Sequence, residues 1–534
     1  MSLVQSLSTR RVAVTAACLL GAAAAVSPLV TTTSADAAAS STSAKTTHTL
    51  APTVRHTGKG PTGYVVTFRV KAPDAENVKI KGTWTFASDL STSTDQTNSS
   101  PISAATWTAG DFPLQSPNGP GEAWAVADMT LNPGNGVWRY TVPLPSGTFD
   151  YQFYVDCTAE GTSTSGCTSE PDPANPAYNT DGDTVLGHAA VFSQVYVPSD
   201  SRFGTEDRSW EADAAVSKQG SLAEVEIPTS TDNIASGIDS TAIYTPKGYD
   251  PDRAKPYPVL VLSHGGGETE IAWPTRGRIQ QILDNLIASK QVQKMVVVMP
   301  TGTSPSGDYD SEILDTVLPY VADRYNISTD SSGMAFAGTS AYGTAANNFL
   351  FTDTTAFGYV GAWSPANGAP AVTVTGQGTT PVDDAYYNPE LLDVLGIHVA
   401  IGAQETGGNA PMMTAQAERI GLVTAGVPFT WFTEGGGHTW AFWKDTLRDF
   451  LLRVAFRTTT TSVTAGDSSQ TASVASATTE TKAPTGTVQF YVDGSPVGNA
   501  KPLVDGTATL NRAVSGTLTA TYSGDTLYNT STSK

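Results

Sequence analysis

Pro258-Val259-Leu260-Val261-Leu262 and, further along, Met295-Val296-Val297-Val298-Met299 are uninterrupted apolar runs. A strand with one face in water alternates polar and apolar residues. Runs without that alternation need apolar cover on both faces, the condition met by parallel strands with helices packed on either side. Between the two runs, Ile279, Ile282, Leu283, Leu286 and Ile287 recur at i, i+3, i+4, i+7 and i+8, which predicts an amphipathic helix. Strand, helix and strand make a βαβ unit. Further runs at Met334–Ala337, Tyr359–Trp363 and Ile397–Ile401, separated by helical spacers, extend it to a doubly wound, mostly parallel α/β domain over residues 195–457.

Both flanks of this domain change period. From Tyr64 onward, Tyr64–Val70, Val78–Ile80, Gly136–Val142 and Phe149–Val155 largely alternate with period two, punctuated by Pro and Gly, and predict a β-sandwich over 61–192. Residues 38–60 are rich in Ser, Thr, Ala and Lys and read as a tether. Past Arg457, Thr458-Thr459-Thr460-Thr461-Ser462 reads as a linker into a small all-β domain that completes 458–534. Ahead of all this, Arg10-Arg11, the apolar stretch Val12 to Val30 and Ala35-Asp36-Ala37 have the layout of a signal peptide over 1–37, which predicts a secreted, extracellular protein with no transmembrane segment once the signal is removed. Thr9-Arg10-Arg11-Val12 leaves both the general and the twin-arginine export routes open.

The 534 residues carry 50 Asp+Glu against 30 Lys+Arg, a formal charge of −20. Such a surface repels phosphate backbones, which argues against nucleic acid as a partner. Six His and three Cys, none clustered, offer no zinc-ligand spacing, and nothing calls for a metal or cofactor. Loss of the signal removes Cys18 and leaves Cys157 and Cys167 ten positions apart in a polar loop, where export favours a disulfide.

Three glycine-rich segments of the α/β domain carry chemistry. Gly338-Thr339-Ser340-Ala341-Tyr342-Gly343 lies between a strand and a helix, as in a nucleophile elbow, although the second glycine of G-x-S-x-G is displaced by one residue. Ser263-His264-Gly265-Gly266-Gly267 follows a buried strand, where the N–H groups of Gly266 and Gly267, with that of Ala341, can face an oxyanion. Glu434-Gly435-Gly436-Gly437-His438 follows the last strand, Phe429 to Phe432, and precedes a closing helix. Glu405 directly follows the strand Ile397 to Ile401, whereas Asp383, Asp384, Glu390 and Asp393 sit in a polar excursion or a helix. The order Ser340, Glu405, His438 is that of an α/β hydrolase: nucleophile, acid, base.

The stretches "PVLVLSHGGGETEIAWPTRGRIQQILDNLI", "VVVMPTGT", "AFAGTSAYG" and "GGGHTWAFWKDTLRDFL" resemble the esterase D / feruloyl esterase-like family of α/β hydrolases. That family includes secreted feruloyl and acetylxylan esterases, enterochelin esterases and mycolyltransferase antigens. The resemblance implies Ser340 as nucleophile, His438 as base and Glu405 at a position where the family usually carries Asp. "VTFRVKAPDAENVKIKGTW" and "GVWRYTVPLPSGTFDYQFYVD" resemble the early-set immunoglobulin-like module of carbohydrate esterases. On it Trp84, Trp107, Trp124 and Trp138 are candidate sugar platforms, with core packing as the competing reading. "PTGTVQFYVDGSPVG" and "LTATYSGDTLYNTS" resemble the bacterial immunoglobulin-like repeat. The expected protein is a multidomain esterase of acylated plant polysaccharide, its β domains able to contact a polysaccharide or cell surface. The alternatives are a siderophore esterase, a cell-envelope acyltransferase and an adhesin on an inactive hydrolase scaffold. Because every candidate catalytic group lies within 195–457, that domain alone is expected to hydrolyse soluble esters.

Overall fold

The computed structural model describes residues 50–88, 101–114, 125–161, 163–176, 192–230, 234, 236–302, 309–372, 382–405, 410–478 and 481–533. The signal-peptide reading of 1–37 and Trp124 lie outside the described residues.

The central sheet has eight strands, numbered here β1 (Ser221–Pro228), β2 (Ile238–Thr245), β3 (Val259–Ser263), β4 (Val296–Pro300), β5 (Met334–Thr339), β6 (Tyr359–Trp363), β7 (Gly396–Ala400) and β8 (Thr430–Phe432), in the spatial order β1-β2-β4-β3-β5-β6-β7-β8. The first two pairings are antiparallel, and every pairing from β4 to β8 is parallel. Four helices matter for the site: α1 (Ile279–Ala288), α2 (Ala341–Phe351), α3 (Ala410–Ala425) and α4 (Trp440–Arg453). The continuous apolar runs now have their physical cause. Val259, Val261, Val296 and Val298 enter a core shared with Ala345 and Phe349 of α2 and Leu422 of α3. Leu260, Leu262, Val297 and Met299 point the other way, to Ile282 and Leu283 of α1 and Trp443 and Leu447 of α4. Each strand is covered twice, so neither pleat can carry polar residues.

Two four-stranded antiparallel sheets precede this domain. One runs Thr53–His56, Tyr64–Lys71, Val137–Pro143, Thr130–Asn132, and the other Ser193–Val197, Gly147–Val155, Val78–Gly82, Ala125–Asp128. They enclose Phe68, Ile80, Phe149, Tyr151 and Phe153. Two boundaries differ from the sequence reading. Thr53–His56, inside the stretch read as tether, pairs with Tyr64–Thr67, and Ser193–Val197, placed beyond the sandwich, pairs with Gly147–Tyr151. Of the two readings for Trp84, Trp107 and Trp138, core packing holds and the sugar-platform reading does not: none is more than 7% exposed. Trp84 stacks on Phe68 with ring centroids 5.2 Å apart, and the Trp138 indole donates to the Ala72 carbonyl at 2.9 Å.

Cys157 and Cys167 are joined by a disulfide, with Cα atoms 5.3 Å apart. Closing so short a loop is worth about 2–3 kcal/mol in the chain-entropy account. Reduction is therefore expected to lower the unfolding midpoint of the N-terminal sandwich while hydrolysis at the α/β site persists below that midpoint. Thiol titration of the native chain, with thermal melts with and without reductant, checks this; two free thiols before reduction would contradict it.

The linker reading of Thr458–Ser462 is also corrected, because Thr459–Ala465 is a strand paired with Gln470–Ser476. A threonine run is polar in composition but β-branched, which suits a pleated, half-buried strand. Thr459 and Thr461 hydroxyls lie 2.7 Å from Ser531 Oγ, and the Thr458 hydroxyl donates to Leu395 of the α/β domain. The C-terminal sheets, of three and four strands, close on Val474, Val488, Phe490 and Tyr522.

Candidate active site

Parallel register aligns the carboxyl ends of five strands. Ser263 of β3 pairs with Gly338 of β5, Thr339 with Trp363 of β6, Trp363 with Ala400 of β7, and Ala400 with Phe432 of β8. The segments leaving these ends carry the glycine-rich turn, Ser340, Ser364, Glu405 and His438 in that order. In open α/β sheets this edge is where ligands bind.

Ser340 caps α2 with φ 55° and ψ −116°, a region costly for a residue with a Cβ. The strain follows from the turn's close packing. A Cβ on Gly338 would lie 2.1 Å from the Tyr342 carbonyl oxygen, and one on Gly343 2.8 Å from Pro365 Cα. The displaced glycine of the sequence motif is thereby explained. Position 343 is the one pressed against neighbouring backbone, whereas Tyr342 turns into the core, its ring 4.9 Å from that of His264 and 4.8 Å from that of Tyr309. Burial raises the Tyr342 hydroxyl well above the usual phenol range, so it stays neutral.

His438 Nε2 lies 2.8 Å from Ser340 Oγ and Nδ1 lies 2.9 Å from Glu405 Oε2. A carboxylate only accepts, so Nδ1 carries the proton and Nε2 is left as acceptor for the serine hydroxyl. The second oxygen of Glu405, Oε1, accepts from the Ser364 hydroxyl at 2.7 Å and the Gly402 N–H at 3.2 Å. Glu405 is buried while Ser340 and His438 are partly exposed, so the carboxylate is shielded and the serine hydroxyl reachable. Cross-links between the loops of Glu405 and His438 hold the two in register: Ala403 N–H donates to Glu434 O, Gln404 N–H to Gly436 O, and Gly436 N–H to Gln404 Oε1. The Trp443 ring meets His438 edge-on at 4.9 Å.

Of the glycine-rich turn, Gly265 and Gly266 face the elbow. A Cβ on Gly266 would lie 3.3 Å from Ala341 Cβ, and one on Gly265 3.7 Å from Ser340 Cβ; Gly267 faces open space. Ala341 opens α2, so its N–H belongs to the first-turn donors that lack an intrahelical acceptor. The structure thus brings together Ser340, Glu405 and His438, with Gly265 and Gly266 of the turn packed against Ser340 and Ala341. The competing carboxylates Asp383, Asp384, Glu390 and Asp393 are exposed, and Asp383 is engaged in capping Ala385.

Sequence reasoning missed Ser364 and Glu268. Glu268 Oε1 accepts from the Trp440 indole at 2.8 Å, and Oε2 from the Gly265 N–H at 3.0 Å. A second histidine–carboxylate contact, His398 to Asp449 at 3.0 Å, has no hydroxyl opposite; there Nδ1 accepts from the Trp363 indole. Burial lowers the His398 imidazole from its ordinary value, which makes it a neutral core group. No group of three or more His, Cys, Asp or Glu suited to a metal occurs among the described residues, and no helix among them is long and apolar enough to cross a membrane.

Sheet order and the strand–turn–helix around Ser340 are those of the α/β-hydrolase fold. Residues 240–454 match the family described as "Putative esterase" and residues 456–534 the bacterial Ig-like domain (group 3). The central domain belongs to that esterase family. An endo-1,4-beta-xylanase/feruloyl esterase from Xylanibacter ruminicola is 24% identical over 246 residues, covering 43% of this chain and 30% of the relative. The endo-1,4-beta-xylanase Y of Acetivibrio thermocellus is 33% identical over 101 residues, 18% of this chain and 9% of the relative. The chain thus spans less than a third of the length of either relative. Among solved structures, the enterobactin esterase of Shigella flexneri aligns with TM-score 0.44 and 16% identity over 75% of this chain and 95% of its own.

Proposed function

We propose that the chain is a secreted serine carboxylic ester hydrolase that removes feruloyl or acetyl groups from plant polysaccharide. One observation carries the reaction: the continuous hydrogen-bonded line from Ser340 Oγ through both ring nitrogens of His438 to Glu405. Ser340 Oγ attacks the ester carbonyl as its proton passes to His438 Nε2. The carbonyl oxygen, now an anion, takes hydrogen bonds from backbone N–H groups of Gly266, Gly267 and Ala341. Collapse breaks the C–O bond, Nε2–H protonates the departing alcohol, and the acyl group remains on Ser340. Water then attacks with His438 again as base, releasing the acid and restoring the serine. Glu405 orients the ring and stabilises its cation throughout.

The substrate class is supported by the Xylanibacter relative, whose name joins xylanase and feruloyl esterase. Secretion is supported by the signal-like N-terminus and by the disulfide, a bond that persists in oxidising compartments. The test is labelling with diisopropyl fluorophosphate followed by a panel of methyl ferulate, acetylated xylan and p-nitrophenyl esters of rising chain length. Expected results are a single adduct on the peptide holding Ser340 and turnover greatest on methyl ferulate or acetylated xylan. An unlabelled, inactive chain would make the α/β domain a scaffold. Preference for a siderophore ester, or transfer of the acyl group to an added alcohol in place of water, would move the assignment to those reactions.

A further inference from the structure

We propose that Glu268 is a positioning residue that registers the oxyanion turn against the histidine loop, and that the N-terminal sandwich holds Glu268 in place through Asp150 and Arg276. The inference rests on the esterase reading and assigns the sandwich a part in turnover that is separate from any contact with polysaccharide.

One carboxylate touches both halves of the machinery. Through Oε2 it accepts from the Gly265 N–H at 3.0 Å, while the Glu268 N–H returns a longer bond to the Gly265 carbonyl at 3.4 Å, so the four-residue turn is closed from both ends. Through Oε1 it accepts from the indole of Trp440, two residues beyond His438 and the first residue of α4. Occupation of the Gly265 N–H by Glu268 fixes the turn beside the elbow, where Gly265 packs against Ser340 and Gly266 against Ala341.

Arg276 then ties Glu268 to the sandwich. Its Nη1 donates to Glu268 Oε1 at 2.9 Å and its Nε lies 3.6 Å from Oδ2 of Asp150, on the strand Gly147–Val155. The guanidinium also lies over the rings of Phe192 and Trp440, 5.4 and 5.7 Å from their centroids. All three charged side chains are nearly excluded from water, at 5–8% exposure. Asp150 Oδ1 is anchored by the Gln194 side-chain amide at 2.8 Å. A second contact runs in parallel: Phe112, on the sandwich side, lies 3.4 Å from where a Cβ of Gly435 would sit, in the loop that ends at His438. A domain cut at residue 195 would lose Asp150, Phe192 and Gln194 together, so on this proposal it should turn over soluble esters more slowly than the full chain.

The test uses the full chain with p-nitrophenyl acetate as substrate and phenylboronic acid, which forms a tetrahedral adduct on the serine, as inhibitor. Removing one oxyanion donor costs roughly 10²–10³ in kcat in other hydrolases, so Glu268→Gln, which mispositions rather than removes, is expected to lower kcat about 10²-fold. KM should stay within about a factor of two, and the phenylboronic acid Ki should rise in proportion to the loss in kcat, because uniform binding is untouched while transition-state binding is lost. Asp150→Asn, one step further away, should act in the same direction by roughly 5- to 10-fold, as misplacement by a fraction of an ångström does. Unchanged kcat in Glu268→Gln, or a change confined to KM, overturns the positioning role. Unchanged kcat in Asp150→Asn beside an impaired Glu268→Gln overturns the sandwich's part. If Glu268→Gln does not fold, Arg276→Lys, which keeps the charge and loses the fork, decides by the same split between kcat and KM. A wild-type chain inactive on every ester would defeat the esterase reading itself, whereas an active chain indifferent to these substitutions defeats the inference alone.

Discussion

Glu405→Gln is expected to lower kcat by about 10⁴, the cost of the equivalent carboxylate-to-amide change in a serine protease triad, while the folded structure persists. The hydrogen bonds dictate why. Oε1 accepts from Ser364 and from the Gly402 N–H, so the amide oxygen of glutamine takes that side. Its NH₂ then faces His438 Nδ1, a donor against a donor. The imidazole can escape only by moving its proton to Nε2, which presents N–H rather than a lone pair to Ser340, the wrong tautomer for a base. Glu405→Asp keeps the charge but retracts it by a methylene and should retain more activity than the amide. Asp393→Asn, at an exposed position, should leave kcat near wild type. Stopped-flow acylation with p-nitrophenyl acetate, with circular dichroism to verify folding, reads all three. Near wild-type turnover in Glu405→Gln would remove the acid from that residue, and an inactive, folded Asp393→Asn would transfer it.

Parts of the site that depend on local pattern were legible in the sequence, and parts that depend on distant partners were not. Val259–Leu262 and Val296–Met299 announce doubly covered strands because burial on both faces is written directly into composition. The placement of Glu405 next to His438 follows from strand order, since β7 and β8 are parallel neighbours. Ser364 and Glu268 gave no such signal. Ser364 matters through Glu405, 41 positions away, and Glu268 through Trp440, 172 positions away; a lone serine or glutamate after a strand reads the same with or without those partners. Composition misled at two strands. Thr53–His56 and Thr459–Ala465 are polar and short of large apolar residues, yet both are fixed by pairing partners. Trp84, Trp107 and Trp138 show the converse: large amphipathic rings that could have stacked on sugar are held inside, where area burial outweighs display.

Lys444→Met is expected to destabilise the chain by about 3–5 kcal/mol near neutral pH, because removing one member of a buried ion pair strands the other. Lys444 lies on α4, where an amphipathic reading would put it in water, but it is buried and its Nζ contacts Oε2 of Glu211, itself fully buried. Glu211 lies in the segment joining the sandwich to the central sheet, and its other oxygen accepts from Arg208 at 2.9 Å. Burial alone would raise the Glu211 carboxyl; Lys444 and Arg208 more than offset that and hold it down at about 2. A depressed carboxyl contributes stability that is present above its unfolded value of 4.5 and is lost as pH falls toward about 2. Without Lys444 the largest of the effects that lower the carboxyl is lost, and its folded value moves upward from about 2 toward the unfolded 4.5. The closer the two values come, the less stability the carboxyl contributes above pH 4.5. The deficit of Lys444→Met relative to wild type should therefore be largest at pH 7 and shrink at pH 4. Adding Glu211→Gln should recover much of it by removing the stranded charge. Urea midpoints at the two pH values for wild type, the single and the double variant measure this. A deficit below about 1 kcal/mol at pH 7, within the range of an exposed pair, or a double variant no more stable than the single, would show that the contact between α4 and the joining segment does not depend on this charge.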